Sequence, residues 1–419
     1  MHKFSLLHDK QSGEKQARRM NEKYKDMRLS ASLDKNIHIL KTLFQDDDTL
    51  VIRHIKNANE PDLDFCIFFS DGLVDSFVIS ENIIKPIIAS TELHKDESMM
   101  DVLFNQVVLV SEMQNTTDIP KIIDSLSYGD TILLAEGWEN ALILNTKSFD
   151  LRSISEPGSE KTLSGPREGF CEGLLTNLSL IKRKLRTNEL KIKFYSVGER
   201  THTQLAICYI EGIANKKILE HLYKRLDEIE IDGILDSNYI TELIRDSSRS
   251  PFRVTGYTER PDVVVGKILE GRIAVFVDGT PVVLTIPYLF IENFQSNEDY
   301  YLNYYYTSFS RILRILAFFL TVTVPAAYIA ILAFHREMLP TPLLINMAGE
   351  RHIVPLPAAL EAFIMLLVFD ILRETGIRMP SNVGHALSIV GALVIGQAAV
   401  EAKLVASAMI IVVAITAIT

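Results

Sequence analysis

Residues 315–334, ILAFFLTVTVPAAYIAILAF, are twenty consecutive uncharged and mostly apolar residues, the length an α-helix needs to cross a hydrocarbon core. This run divides the chain. Pro325 in its middle removes one amide, so the Thr321 carbonyl loses its helical donor and a kink is predicted over Thr321–Pro325. Just upstream lie Tyr300, Tyr301, Tyr304, Tyr305 and Tyr306, then Arg311 and Arg314. Tyrosines at the headgroup level and arginines on the cytoplasmic side are what a juxtamembrane collar carries. The charged start, MHKFSLLHDKQSGEKQARRM, has no apolar stretch of signal-sequence length. The first 310 residues are therefore expected to stay in the cytoplasm.

The 419 residues carry 43 Lys+Arg and 53 Asp+Glu; seven and six of these lie from Arg311 onward, leaving 36 against 47, a net −11, on residues 1–310. At roughly 150 residues per domain the acidic part holds about two domains. An acidic balance without a long basic block argues against nucleic acid as a partner class, because displacing counterions needs clustered Lys and Arg. Cys66, Cys171 and Cys208 are far apart, form no CxxC and sit beside apolar residues. They read as reduced core thiols in a reducing compartment.

Downstream of the first span, Pro340, Pro342, Pro355 and Pro357 bracket LLINMAGERHIV and bar a continuous helix there, leaving a rigid re-entrant connection or a partner-facing loop. Three shorter apolar segments follow: 357–372 with Glu361 and Asp370, 384–400 without charge, and 404–419. They read as short, tilted or re-entrant helices of a multi-span bundle. The last two could be one helix, since Glu401, Ala402 and Lys403 include no Gly or Pro. The chain stops inside an apolar run and is expected to continue. Gly384, Ser388, Ala392 and Gly396 recur every four residues, a small-residue face that admits a close helix, intramolecular or from another subunit. Ionised or polar groups at membrane depth are costly and mark function, so Glu361, Asp370, Gln397 and Glu401 are the candidate pore or coupling residues. Asp370 has Arg373 three residues on as a structural partner; Glu361 has no basic residue within one turn.

The head contains a repeat. Residues 62–79, DLDFCIFFSDGLVDSFVI, and 202–219, HTQLAICYIEGIANKKIL, each read as strand, acidic-Gly turn and helix start. GDTILLAEGWENALILNT from Gly129 and GRIAVFVDGTPVVLTIP from Gly271 each read as strand, acidic-Gly turn and returning strand. Gly72 to Gly137 is 65 residues and Gly212 to Gly279 is 67. The predicted architecture is an α+β head of two similar α/β domains followed by an all-α multi-span membrane domain. Its parts are a charged tail 1–29, α/β domain 30–150, linker 151–164, α/β domain 165–290, Tyr-rich collar 291–314 and membrane domain 315–419.

No Walker loop, GxGxxG, HExxH or GxSxG occurs, and the ten histidines form no metal-ligand spacing. No enzyme, cofactor or metal is therefore expected. In GPREGFCEG, Gly165, Pro166, Arg167 and Glu168 read two ways: a helix N-terminus that takes an anion or a partner's acid, or a linker turn running into a packed helix.

GPREGF (165–170), FQSNEDYY (294–301), AFHREMLPTPLLINMAGERHIVPLP (333–357) and GIRMPSNVGHALSIVGALVIGQAAVEAKLVASAMIIVVAITAI (376–418) resemble the A-subunit family of GerA-type spore germinant receptors, from about residue 150 to the end. The resemblance implies a multi-pass subunit of a nutrient sensor in the spore inner membrane, its head on the spore-core side. It also implies a permease-like B subunit and a lipoprotein C subunit as partners, and a homo-oligomer that conducts ions or transmits the signal. The rival readings are a secondary transporter, which would show inverted membrane repeats not seen here, and an accessory spore-membrane channel protein.

Overall fold

The computed structural model describes Tyr24 and residues 27–94, 99–148, 157, 160–162, 164–245, 249–377, 391–392 and 394–418. The chain forms two compact units, Met1–Glu292 and Asn293–Thr419.

The first unit holds two five-stranded sheets. Strands β1 (Leu50–Lys56), β2 (Asp64–Ser70), β3 (Met113–Thr116), β4 (Thr131–Ala135) and β5 (Ala141–Leu144) lie in the order β1-β2-β4-β5-β3. Strands β6 (Leu190–Val197), β7 (Thr203–Ile210), β8 (Gly256–Thr258), β9 (Ile273–Val277) and β10 (Val283–Ile286) repeat that order as β6-β7-β9-β10-β8. Every strand pair in both sheets is antiparallel, so the helix-alternating head is α+β. Each half opens with a helix, α1 (Leu33–Leu43) or α4 (Leu174–Lys184). A second helix, α2 (76–89) or α5 (Lys216–Asp227), follows the acidic-Gly turn, and a proline-started one, α3 (Ile119–Ser127) or α6 (Pro261–Leu269), precedes the second hairpin.

Alternation along β2 sends Phe65 and Ile67 into one apolar cluster and Cys66 and Phe68 into another. Along β7, Leu205 and Ile207 are separated from Ala206 and Cys208 in the same way. Both sheets are thus covered on both faces, which is why β4 and β9 are buried at every position. The halves also share one close approach. At Gly129 (φ +99°) a Cβ would lie 2.8 Å from the Leu73 carbonyl oxygen, and at Gly271 (φ +88°) 3.0 Å from that of Ile213. Each contact lets the second hairpin start against the turn that follows β2 or β7.

A buried polar joint links the halves. Asp48 N–H donates to the Ile192 carbonyl at 2.8 Å and Ile192 N–H to that of Asp46 at 3.2 Å, so the Asp46–Asp48 turn covers edge strand β6. Lys182, 4% exposed, extends from α4 to Asp47 Oδ2 (3.0 Å), Ser70 Oγ (3.1 Å) and Thr49 Oγ1. Cys66 and Cys208 are buried free thiols, and burial raises both, Cys66 to about 12. Cys171 is only half-buried, since it lies in the irregular segment before α4 and not in the core as expected.

The second unit is helical. α7 (Tyr304–Phe334) is 31 residues long and passes Pro325 without a break. It starts within the Tyr-rich segment, capped by Asn303 Oδ1 accepting from Tyr305 N–H at 3.0 Å. Among the described residues it alone is long and apolar enough to cross a membrane by itself. α8 (Thr341–Ile353) and α9 (Ala358–Ile377) follow. They meet the same test only together, and the Pro355–Pro357 break bends them by 75°. The one-helix reading of the last two segments does not hold. Residue 401 ends a helix, Lys403 turns left-handed (φ 56°), and α10 (Ser407–Ile418) starts afresh.

Candidate functional site

α9 begins immediately after Pro357, and Glu361 lies in its first turn, fully buried. Its Oε1 accepts from the Ala406 N–H at 2.6 Å, so a carboxylate from α9 caps the start of α10, forty-five residues on. A helix N-terminus carries partial positive charge, which makes it a favourable seat for a carboxylate. Next to it Glu350 Oε2 accepts from Ser407 Oγ at 2.6 Å. Arg351 Nη1 stands 3.9 Å from Glu361 Oε2, beyond hydrogen-bond length. Around these groups pack Ala358, Ala362, Met365, Val405 and Met409, with Tyr328 of α7 against them. Among the described residues Glu361 Oε2, Arg351 Nη1 and the Tyr328 hydroxyl are buried without hydrogen-bond partners. Such groups are uncommon in packed interiors, and here they share one place. The result is a charged tie among α8, α9 and α10 inside an apolar bundle, where displacing any one of them uncovers a carboxylate.

The other expected residues lie elsewhere. Asp370 sits 4.0 Å from Arg373 with both side chains about two-thirds exposed, a pair of little energetic weight. Its different surroundings from Glu361 follow from nine residues of separation on one helix. Gln397 Nε2 donates to Glu401 Oε1 at 3.1 Å on an exposed face. Gly396 is buried, and a Cβ there would lie 3.6 Å from Ile410 Cδ1 of α10. Its face is therefore used within the chain at this point. Ala392 is half-buried, and Gly384 and Ser388 lie outside the described residues.

In the head, Gly165 (φ +113°) and Pro166 begin an irregular run. The Pro166 carbonyl accepts from Arg260 Nη2 at 3.1 Å. Arg260 is 1% exposed and holds Asp262 by Nε to Oδ1 (3.1 Å) and Nη2 to Oδ2 (2.7 Å). Glu168 pairs with Arg183 (2.5 Å) and Lys184 (3.1 Å) of α4. Burial opposes its ionisation, yet the hydrogen bonds from Arg183 and Lys184 leave the carboxyl below its usual range. Phe170 N–H donates to the Glu259 carbonyl and its ring meets Phe276 edge-on. This geometry fits the linker turn better than an anion seat, because the acid of the motif is the chain's own Glu168.

Sequence reasoning passed over Asp299, which lies inside the quoted FQSNEDYY. Its carboxylate is 1% exposed and receives Arg311 and Arg314, the two arginines assigned to the collar. Burial alone would raise this carboxyl; the hydrogen bonds from Arg314 and Arg311 outweigh it and hold it at about 2. Arg351, Lys182 and Arg260 were also passed over, since each finds its role only through distant partners. Among the described residues no cluster of His, Cys, Asp or Glu could hold a metal.

A family model described as Bacillus/Clostridium GerA spore germination protein matches residues 38–419. Spore germination protein KA of Bacillus subtilis is 42% identical over 397 residues, covering 95% of this chain and 73% of its own length. The uncharacterized membrane protein YfkQ of the same organism is 38% identical, covering 94% of this chain and 76% of its own length. The crystal structure of the N-terminal domain of the A subunit of the Bacillus megaterium spore germinant receptor GerK3 is similar at a TM-score of 0.51 and 31% identity, over 63% of this chain and 98% of that domain.

Proposed function

The chain belongs to the GerA family of spore germination proteins, and from that premise we propose that it is the A subunit of a spore nutrient-germinant receptor. In this reading it sits in the spore inner membrane with its head on the spore-core side. There it oligomerises as the ion-conducting or signal-transducing element. Nutrient binds a permease-like B subunit, and a lipoprotein C subunit completes the receptor. The observation that carries the reading is Glu361: a fully buried carboxylate in the helical unit, tied to the start of α10, its other oxygen facing Arg351 without a hydrogen bond among the described residues. A group so costly to bury in an apolar bundle suits a part that must hold one arrangement of helices and release it on a signal. The head, held together by its Lys182 joint, supplies assembly or gating surfaces.

Conductance of the reconstituted receptor, with and without nutrient, tests this. Nutrient-dependent current that is altered by Glu361→Gln is the expected result. Silence with a confirmed agonist and both partners present overturns the conducting role.

A further inference from the structure

An apolar patch on the head lies outside everything assigned so far. β8 is an edge strand, paired with β10 alone among the described strands. On and beside it Phe252 is 63% exposed, Tyr257 53% and Phe290 50%, and Val254, Leu289 and Ile291 are also open to solvent. These side chains form one surface. Phe252 meets Phe290 edge-on at 5.9 Å, the Arg253 guanidinium lies over the Tyr257 ring at 4.9 Å, and Tyr288 N–H donates to the Val254 carbonyl at 2.9 Å. A contiguous exposed patch of large apolar groups on a soluble-type domain marks an interaction surface.

What covers it follows from its charge and its tether. Arg249 and Arg253, both exposed, sit on a head that is otherwise acidic. Glu292 at the border is buried between Lys267 (2.7 Å) and Arg272 (2.9 Å), so its charge is already compensated. Aromatic rings interleaved with arginines are the composition that the headgroup layer of an anionic membrane takes up. Eleven residues, 293–303, join this unit to the first turn of the membrane-length helix, a reach of at most ~40 Å. The tether thus keeps the head within reach of the bilayer that α7 would enter, at high effective concentration.

We propose that the surface formed by Phe252, Arg253, Tyr257 and Phe290 docks on anionic lipid headgroups, with the rings at the acyl boundary and Arg249 and Arg253 on the phosphates. This rests on the membrane reading of α7, and it makes the head a second, lipid-sensitive attachment of the chain.

The test uses the full chain reconstituted in vesicles, with the single Trp138 replaced by Phe and Phe252→Trp as the only tryptophan. Should Trp138→Phe not fold, bimane on Phe252→Cys in a Cys171→Ser background reports the same position. In phosphatidylglycerol vesicles with brominated acyl chains the probe should be blue-shifted and lose most of its emission. Arg249→Glu with Arg253→Glu, or Phe290→Ser, should restore it. Emission like that of a solvent-exposed probe overturns the proposal. So does a blue shift without bromine quenching that grows with protein density, which would assign the patch to a second copy of the chain. Equal quenching in phosphatidylcholine removes the anionic headgroup from the proposal. Resistance of the same preparation to alkaline extraction tests the insertion of α7 separately, so the two failures are distinguishable.

Discussion

Arg314 grips Asp299 with both arms of its guanidinium, Nη1 at 2.9 Å from Oδ2 and Nη2 at 3.0 Å from Oδ1, while Arg311 Nε reaches Oδ2 at 2.8 Å. The aspartate is itself fixed, since its carboxylate accepts from Ser296 N–H in a capping box. Two arginines one helical turn apart on α7 are therefore locked to the turn that precedes it. Together the three groups carry one positive charge, not two, at the start of α7.

Asp299→Asn keeps the shape and removes the charge, and should destabilise this node by about 2 kcal/mol, in line with a bidentate contact from arginines that remain partly solvated. A thermal melt of the second unit in detergent measures it. The pH dependence has a definite sign. The carboxyl is held at about 2 against an ordinary 3.8, so its contribution is fully present above about pH 4 and is lost as pH falls toward 2. Asp299→Asn should abolish that acid-side loss; an unchanged acid profile would remove the node from the account.

Lys182 should be among the most sensitive positions of the head. Among the described residues Lys182→Met leaves the buried Asp47 carboxylate with only the Thr49 hydroxyl and amide as donors, a loss of about 3–5 kcal/mol. Lys182→Met combined with Asp47→Leu should recover a large part of it, because no uncompensated charge then remains. Urea unfolding of the three proteins reads the difference, and equal midpoints for single and double variants would contradict the buried pair.

The repeat was legible in the sequence because its signals are local. DG and EG turns, prolines at helix starts and period-two strands each occupy a few residues. The two returning strands, β4–β5 and β9–β10, were legible for the same reason; the order of the whole sheets and the remaining pairings were not, since they depend on which apolar faces meet in the folded chain. The charge partners were hidden for the same reason. Lys182 reaches Asp47 across 135 residues and Glu361 reaches Ala406 across 45. Only a motif whose partners are near in sequence, such as FQSNEDYY with Arg311 and Arg314, offered a readable cue, and there the arginines were assigned to the collar while their own aspartate stood twelve and fifteen residues away.

Gly396 gives a packing test. Its Cβ position is 3.6 Å from Ile410 Cδ1, an ordinary contact, so Gly396→Ala should be near neutral, whereas Gly396→Leu overpacks the contact with α10 by about 1–3 kcal/mol. Ala392→Leu, at a half-buried position on the same stripe, separates internal packing from subunit contact. Loss of crosslinked oligomer on Ala392→Leu with an intact monomer fold assigns that position to another subunit; no change in oligomer assigns the stripe to the chain's own interior.

Orientation can be read with an impermeant thiol reagent. In a background with Cys171→Ser, Leu235→Cys on the head (73% exposed) should stay unlabelled in intact cells, and Gly349→Cys in α8, whose Cβ position faces open space among the described residues, should label. The reverse pattern would turn the chain over in the membrane and, with it, place the head where nutrient arrives directly.

Glu361 separates charge from hydrogen bonding. Glu361→Gln retains an acceptor for the Ala406 N–H but drops the charge that Arg351 and the start of α10 face, so the tie persists while its electrostatic part is lost. Glu361→Ala removes both and leaves that amide buried and unpaired, at about 1–3 kcal/mol. Lys403 offers the readout, since it is exposed in the left-handed turn between the helices and becomes a tryptic site whenever the start of α10 comes loose. Cleavage there tracks the population of the opened form, so Glu361→Ala should speed it by roughly tenfold for each 1.4 kcal/mol lost, and Glu361→Gln by much less. A cleavage rate at Lys403 unmoved by Glu361→Ala would show that α10 is held by its apolar contacts alone, and the carboxylate would lose its claim to couple the helices.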